Sequence, residues 1–421
     1  MITLLPRREA VIDETLVGRI PAGVRVVRTW APDLPALAAR LLGRRQPSSD
    51  GTGPAESQRQ SPFPSANSGA GGQAAAPAGA LKRLVRWLSC WMHVPDSRSA
   101  WLPSAVWAGL HGPRPSVIFS SAPMWTSHLA AGVLSRLLRV PWVADFRDPW
   151  CGNEWNMMPA GSVQRTNEAL ERWVVGRATR ITCAWDGIRR LLCERYPHRA
   201  AKMETVLNGF DEEEVDPVTP ERIAPHRCVM LHAGTLYGPR SPVSLFAGLR
   251  QLRQEHPAEA LRLLVVLVGR PTWNGQPLSD LASREGVSDL VQVVPPTEHR
   301  RALAMLKGGE AGILFGQGGE QGRVQPVAAK VYEYVGTGKA VLAVGAGQEA
   351  VDILRRGGCR VWTAEDTAAS CAAALRMTVA AYHRGELARR SPDERRKLFT
   401  RSAMAERLAR ILEEARGVGC P

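Results

Sequence analysis

The chain has 421 residues, 44% of them hydrophobic and 22% charged, with a formal net charge of +14 at pH 7. These values exclude a disordered or fibrous chain and leave room for two or three domains. The basic excess points to an anionic partner. Its arginines are dispersed rather than gathered into tails, which disfavours nucleic acid and favours a phosphorylated small molecule or an anionic membrane surface.

In chain order, Met1–Arg7 holds too short an apolar run for a signal peptide, and no stretch approaches the ~20 apolar residues of a transmembrane helix. A cytoplasmic protein, free or peripheral at the inner membrane face, is the expectation. Residues 44–80 are Ser, Gly, Pro, Ala and Gln with almost nothing large and apolar, which predicts a disordered insertion. Leu81, Leu84, Val85, Leu88, Trp91 and Met92 then form a helical stripe opposite Lys82, Arg83 and Arg86. It reads as a helix packed on its domain, with an interfacial lipid-facing helix as the alternative.

Strands and helices alternate from there. Strands are predicted at Ser116–Ser120, Val140–Asp145, Arg180–Ala184 and Met203–Leu207. Helices are predicted at Trp125–Leu138, Val163–Ala178 and Asp186–Tyr196. After an acidic, proline-bearing linker at 216–226 the rhythm restarts. Strands follow at Cys228–Ala233, Leu261–Val268, Val291–Val294, Ala311–Phe315, Ala340–Val344 and Cys359–Thr363. Helices fall at Pro242–Glu255, Leu278–Glu285, Glu298–Leu306, from Lys330, and at Glu349–Arg356. A single long helix is expected over Asp393–Arg416. This is the pattern of an α/β protein made of two tandem doubly wound units with a ligand cleft between them.

Chemistry-bearing residues gather where strands end. Lys330 and Glu333 share one helical face and are either an exposed salt bridge or two ligand contacts. Gly234-Thr235 follows a strand, and Arg240 precedes a helix N-terminus, a setting that suits phosphate or else a solvated loop. Asp145-Phe-Arg147-Asp148-Pro-Trp150 places two carboxylates and an arginine directly after a buried strand. Ser120 and Ser121 end the preceding strand, as cleft residues or as a helix N-cap. Gly345-Ala-Gly347-Gln-Glu-Ala350, with Glu365 and Asp366 about twenty residues on, fits a dinucleotide fingerprint, although it lies deep within its domain rather than opening it. The eight cysteines lack any C-x-x-C and the nine histidines any H-x-x-x-H, so reduced thiols are expected and no zinc site or other metal.

Five landmarks stand in register: Pro141–Trp150, Val206-Leu-Asn208-Gly209-Phe-Asp211, His232-Ala-Gly234-Thr-Leu-Tyr237, Val266-Leu-Val-Gly269 and Lys330–Val344. With them the chain resembles the GT-B glycosyltransferases of family 4, over about Pro95 to Val361. The resemblance implies two Rossmann-like domains, at 1–215 and 227–392, followed by a helix and tail at 393–421. It implies transfer of a sugar from a nucleotide-diphosphate donor with retention, and no cofactor or metal beyond the donor; the absence of Asp-x-Asp agrees. Glu333 would bind the donor ribose. Gly234, Thr235, Arg240 and Lys330 would meet the diphosphate, with Arg240 and Lys330 stabilising it as it leaves. Gly269 and Val294 would border the base.

On the acceptor side stand Ser120, Ser121, Asp145, Arg147 and Asp148, with Arg147 in the register of the family's histidine. Gln325 replaces a glutamate that many members carry eight residues before the ribose-binding one, a departure in the sugar contact. The family's opening βα unit with its Gly-rich loop is expected to be missing. The acceptor is unidentified, with a lipid-linked one suggested by the basic charge. Polysaccharide, glycolipid or secondary-metabolite glycosylation would be the setting. The alternatives are a catalytically impaired sugar-nucleotide-binding scaffold, a nonhydrolysing sugar-nucleotide epimerase, and an NAD(P)-dependent oxidoreductase built on the Gly345 loop.

Overall fold

A computed structural model describes residues 1–4, 18, 20–32, 94–152, 161–317, 325–388 and 393–418. The insertion at 44–80 and the stripe at 81–92 lie outside the described residues. The chain divides into two compact units. One comprises Met1–Ala184, Ile188–Thr205 and Arg410–Pro421; the other comprises Trp185–Gly187 and Val206–Ala409.

In the first unit, strands β1 (Ile2–Leu4) and β2 (Val27–Thr29) form a separate parallel pair. Helix α1 (Leu102–Leu110) follows, then β3 (Ile118–Ala122), α2 (Trp125–Leu138) and β4 (Trp142–Phe146). Helix α3 (Ser162–Arg177), β5 (Arg180–Cys183), α4 (Asp186–Arg195, in this unit from Ile188) and β6 (Met203–Thr205) complete it. Strands β3 to β6 pair in sequence order, all parallel. Every residue of β4 is buried, as expected of an inner strand covered on both faces. The carboxylate of Asp96 caps α2, accepting the Thr126 backbone N–H at 2.8 Å and its hydroxyl at 2.9 Å. It does the work of an N-cap from outside the helix.

The second unit opens with β7 (Cys228–Ala233), α5 (Val243–Glu255), β8 (Leu263–Val268), α6 (Leu278–Arg284) and β9 (Val291–Val294). It continues through α7 (His299–Gly308), β10 (Ala311–Phe315), α8 (Lys330–Thr337), β11 (Ala340–Val344), α9 (Gln348–Arg356) and β12 (Val361–Ala364). The strands pair in the order β9-β8-β7-β10-β11-β12, all parallel. Chain order therefore reverses between β7 and β10, and in such sheets ligands bind at the carboxyl ends of the strands at that switch point. Residues 216–226, expected as a linker, fall within this unit, where Val218 is buried and Glu221 pairs with Arg301.

Two elements depart from the sequence expectation. Helix α10 (Ala368–His383) packs across α5 and has no counterpart in the sequence reading. Its run of alanines leaves little contrast between faces, so periodicity does not reveal it. The tail is not one helix but two, α11 (Asp393–Lys397) and α12 (Arg401–Gly417). The break has a tertiary cause. Phe399 and Thr400 are buried, and the backbone there pairs with Phe210: Phe210 N–H donates to Phe399 O at 3.0 Å and Arg401 N–H to Phe210 O at 2.8 Å. A Cβ on Gly209 would come within 2.6 Å of Thr400, and one on Gly336 of α8 within 2.7 Å of the Phe210 ring. Three segments thus meet with no room for side chains at the two glycines.

Candidate active site

The carboxyl edge of the second sheet is a glycine rim. Gly234, Gly269, Gly316 and Gly345 directly follow β7, β8, β10 and β11. Each donates its N–H to the last residue of the neighbouring strand, to Val268, Val294, Val344 and Ala364 in turn, at 2.7–2.9 Å. Gly234 and Gly269 have φ of 144° and 147°, a region that side chains disfavour. A Cβ on Gly269 would lie 2.6 Å from Gly234 O, and one on Gly234 would overlap Nζ and Cε of Lys330. The lysine ammonium therefore rests on bare backbone at the switch point.

Helix α8 explains how it gets there. Val331, Tyr332, Tyr334, Val335 and Gly336 are buried, which leaves Lys330, Glu333 and Thr337 as the half-buried face. Gly338, with φ of 64°, ends the helix in the left-handed conformation and sends the chain into β11. The Tyr334 hydroxyl donates to Ile313 O at 2.6 Å, and His232 Nδ1 meets the same oxygen at 2.9 Å. The β7–β10 ladder pairs Met230 with Ala311 and Leu231 with Gly312. At the next position the two side chains satisfy the carbonyl, so one oxygen ties β7, β10 and α8 together. Because that oxygen can only accept, His232 carries its proton on Nδ1. Burial, with the charges of Lys330 and Arg240, pushes the His232 pKa from 6.5 down to about 3. Arg240 itself lies over the Tyr237 ring, 5.0 Å from its centroid. Thr235 is half-buried beside Gly234, and Val294 at the end of β9 gives its carbonyl to Gly269.

The edge of the first sheet is built differently. Ser121, Asp145 and Thr182 are in register across β3, β4 and β5. Asp145 is buried and accepts from Ser121 Oγ and Thr182 Oγ1, both at 2.8 Å, and pairs with Arg147 Nη1 at 3.4 Å. Ser120, expected at a cleft or as an N-cap, is neither. Alternation along β3 turns it into the core, where its Oγ accepts from Trp142 Nε1 at 2.8 Å and faces His128 Nδ1 at 2.8 Å. Arg147 and Asp148 are half-buried between fully buried Phe146 and Trp150. Trp150 stacks on Trp125 at 4.9 Å and donates to Asn167, so the loop carrying the two charged residues is pinned at both ends.

Sequence reasoning missed Glu171. Fully buried, it accepts from Cys151 N–H at 2.8 Å, Tyr196 OH at 2.8 Å and Arg195 Nε at 3.0 Å. It gave His232 no role beyond its place in a landmark, and it missed Gly316. Only the glycine following a buried strand could have flagged the last.

Two Rossmann-like units of parallel α/β sheet in one chain, the second with its cationic glycine rim, define the GT-B class. Residues 67–214 match the Glycosyltransferase Family 4 model. The fold is similar to that of HepE from Anabaena, solved with UDP, with a TM-score of 0.56, 13% identity, and 74% of this chain and 82% of that one covered. It is similar also to sucrose-phosphate synthase of Thermosynechococcus elongatus, with 0.54, 14%, 75% and 78% in the same order. The UDP-forming α,α-trehalose-phosphate synthase of Burkholderia xenovorans gives 0.51, 12%, 79% and 79%. No curated protein matches in sequence. Residues 67–214 are thus similar to glycosyltransferase family 4, and the fold is that of the GT-B enzymes. Among the described residues no helix is long and apolar enough to cross a membrane.

Proposed function

We propose that this protein transfers a sugar from a nucleotide-diphosphate donor to an acceptor hydroxyl. The observation that carries the reading is the Lys330 ammonium lying on the Gly234 backbone at the switch point of the second sheet. A diphosphate there would meet Gly234 and Thr235, the N-terminus of α8, and the charges of Lys330 and Arg240. As the glycosidic bond to phosphate breaks, negative charge grows on the leaving oxygen, and the two cations stabilise it most at that moment. Glu333, one turn along from Lys330, would accept the ribose hydroxyls, while Gly269 and Val294 border the base. Arg147 and Asp148 would orient sugar or acceptor.

Retention follows if the acceptor attacks from the face of the leaving phosphate and gives it its proton. The donor substrate supplies the chemistry, with neither cofactor nor metal required. A lipid-linked acceptor at the inner membrane face suits the net charge of +14. The oxidoreductase reading gains no support, since the Gly345 loop follows β11, away from the switch point, and Gln325 lies 2.8 Å from where a Gly347 Cβ would be.

HepE is described in complex with UDP and with UDP-glucose, which makes UDP the first probe, with GDP beside it. Lys330→Ala is expected to weaken nucleotide-diphosphate binding roughly ten- to hundredfold, the range of a lost charge-assisted hydrogen bond. Glu333→Ala should weaken it by a smaller factor. Titration calorimetry showing both variants at wild-type affinity would remove the reading. Release of labelled sugar to water or acceptor, with the anomeric configuration read by NMR, then tests transfer and retention.

A further inference from the structure

The loop that carries Arg240 is built to hold one shape. Arg240 N–H donates to Tyr237 O at 3.1 Å, closing a four-residue turn, and Gly238, with φ of 55°, takes the turn position that side chains disfavour. The turn brings its two ends together, so the guanidinium lies over the Tyr237 ring, 5.0 Å from its centroid. The Arg240 Nε–H is shut away from water without an acceptor, a cost that a freely solvated arginine avoids. Its charge also reaches the switch point, since it helps to lower the pKa of His232 near the end of β7.

What holds the turn is a hairpin between β8 and α6. Thr272–Trp273 and Gln276–Pro277 pair antiparallel, and Asn274 (φ 49°) and Gly275 (φ 83°) make the two-residue connection. Strands of two residues bury too little to stand alone. The Trp273 ring packs against the core of the second unit, and its Nε1 donates to Gly238 O at 3.1 Å. The Asn274 amide grips the same residue twice: Nδ2 donates to Gly238 O at 3.2 Å, and Oδ1 accepts the Gly238 N–H at 2.9 Å. We propose that Trp273 and Asn274 are positioning residues for Arg240, holding its turn so that the guanidinium is preset for a bound diphosphate.

The inference rests on the donor-site reading above and adds to it the device that sets one of its cations in place. An arginine held before the ligand arrives spares the cost of ordering a long side chain at binding. The hairpin acts through the turn rather than on the ligand, so its effect should appear only where Arg240 has phosphate to meet. Asn274 has a plainer use, since asparagine before glycine suits a tight hairpin whatever its amide does. Glycine at that position keeps the tight connection and removes the amide, which separates the two roles.

Full-length wild type, Asn274→Gly, Trp273→Phe, Arg240→Ala and the double variant Asn274→Gly/Arg240→Ala would be titrated with UDP and uridine, or with GDP and guanosine if that is the pair the wild type binds. Arg240→Ala is expected to lower diphosphate affinity roughly tenfold, and Asn274→Gly and Trp273→Phe roughly three- to tenfold, with the nucleoside changed less than about twofold throughout. On the Arg240→Ala background Asn274→Gly should add almost nothing, since the two act as a unit. Unchanged diphosphate affinity in Asn274→Gly, equal losses for diphosphate and nucleoside, or full additivity with Arg240→Ala would each overturn the proposal and leave the hairpin a structural excursion. Failure of the wild type to bind UDP or GDP would instead overturn the donor site on which it rests.

Discussion

The two sheets finish their strands in opposite ways. In the first unit the carboxyl edge satisfies itself: Ser121, Asp145 and Thr182 bond across three strands, and Asp145 adds Arg147. In the second unit four strands are followed by glycine, Lys330 of α8 stands over the bare backbone of Gly234, and Arg240 lies over the Tyr237 ring. Charge at a strand end is therefore ambiguous on its face. A carboxylate flanked by hydroxyls in register locks a sheet, while a cation resting on a glycine lies against the backbone itself.

That contrast can be broken most forcefully at Glu171. If the first unit's buried charge is structural, Glu171→Ala should cost about 3–5 kcal/mol, because Arg195 loses its partner and Cys151 N–H its acceptor. A shift below 1 kcal/mol in urea unfolding would end the structural reading.

Acid tests both units together. His128 in the first and His232 in the second have pKa values lowered from 6.5 to about 3, by burial in each case. Each binds a proton readily only once the chain unfolds. Their contribution is complete above pH 6.5 and declines as pH falls toward 3, by about 2 kcal/mol per histidine at pH 5. Unfolding midpoints measured from pH 7.5 to 5 should drop accordingly, and His128→Leu should flatten the slope by one proton's share. An unchanged slope would mean that His128 is not held neutral.

Gly234→Ala and Ser121→Ala sharpen the comparison between edges. The first forces a side chain into φ of 144° and against Lys330, with an expected cost of about 1–3 kcal/mol and loss of UDP binding. The second removes one hydrogen bond from Asp145, with an expected cost of about 1 kcal/mol and UDP affinity unchanged. Thermal melts and titrations on the same samples distinguish them. Tyr334→Phe, which leaves Ile313 O to His232 alone, should likewise lower stability by about 1 kcal/mol.

Much of this architecture was legible in the residues. Strands such as Cys228–Ala233, Ala311–Phe315 and Ala340–Val344, and the helix Trp125–Leu138, have the bounds their patterns imply, since unbroken apolar runs and local caps are short-range signals. The strand-end position of Gly234 and Gly269, and the shared helical face of Lys330 and Glu333, were legible for the same reason. The partners were not. Ser120 reads as a cleft residue or a helix N-cap until Trp142 and His128 are placed beside it. Glu171 reads as one of many helical glutamates until Cys151, Arg195 and Tyr196 converge on it. Such roles depend on tertiary contacts, most of them across twenty or more residues, which periodicity cannot carry.

The break in the tail extends this dependence to the chain's far end. Phe399 and Arg401 clamp the backbone of Phe210, and the Phe210 ring fills the notch that Gly336 leaves in the helix bearing Lys330 and Glu333. Truncation before residue 398 would leave every strand of the second sheet in place and yet unseat the wedge behind that helix. The C-terminal segment therefore acts as a remote brace for that helix.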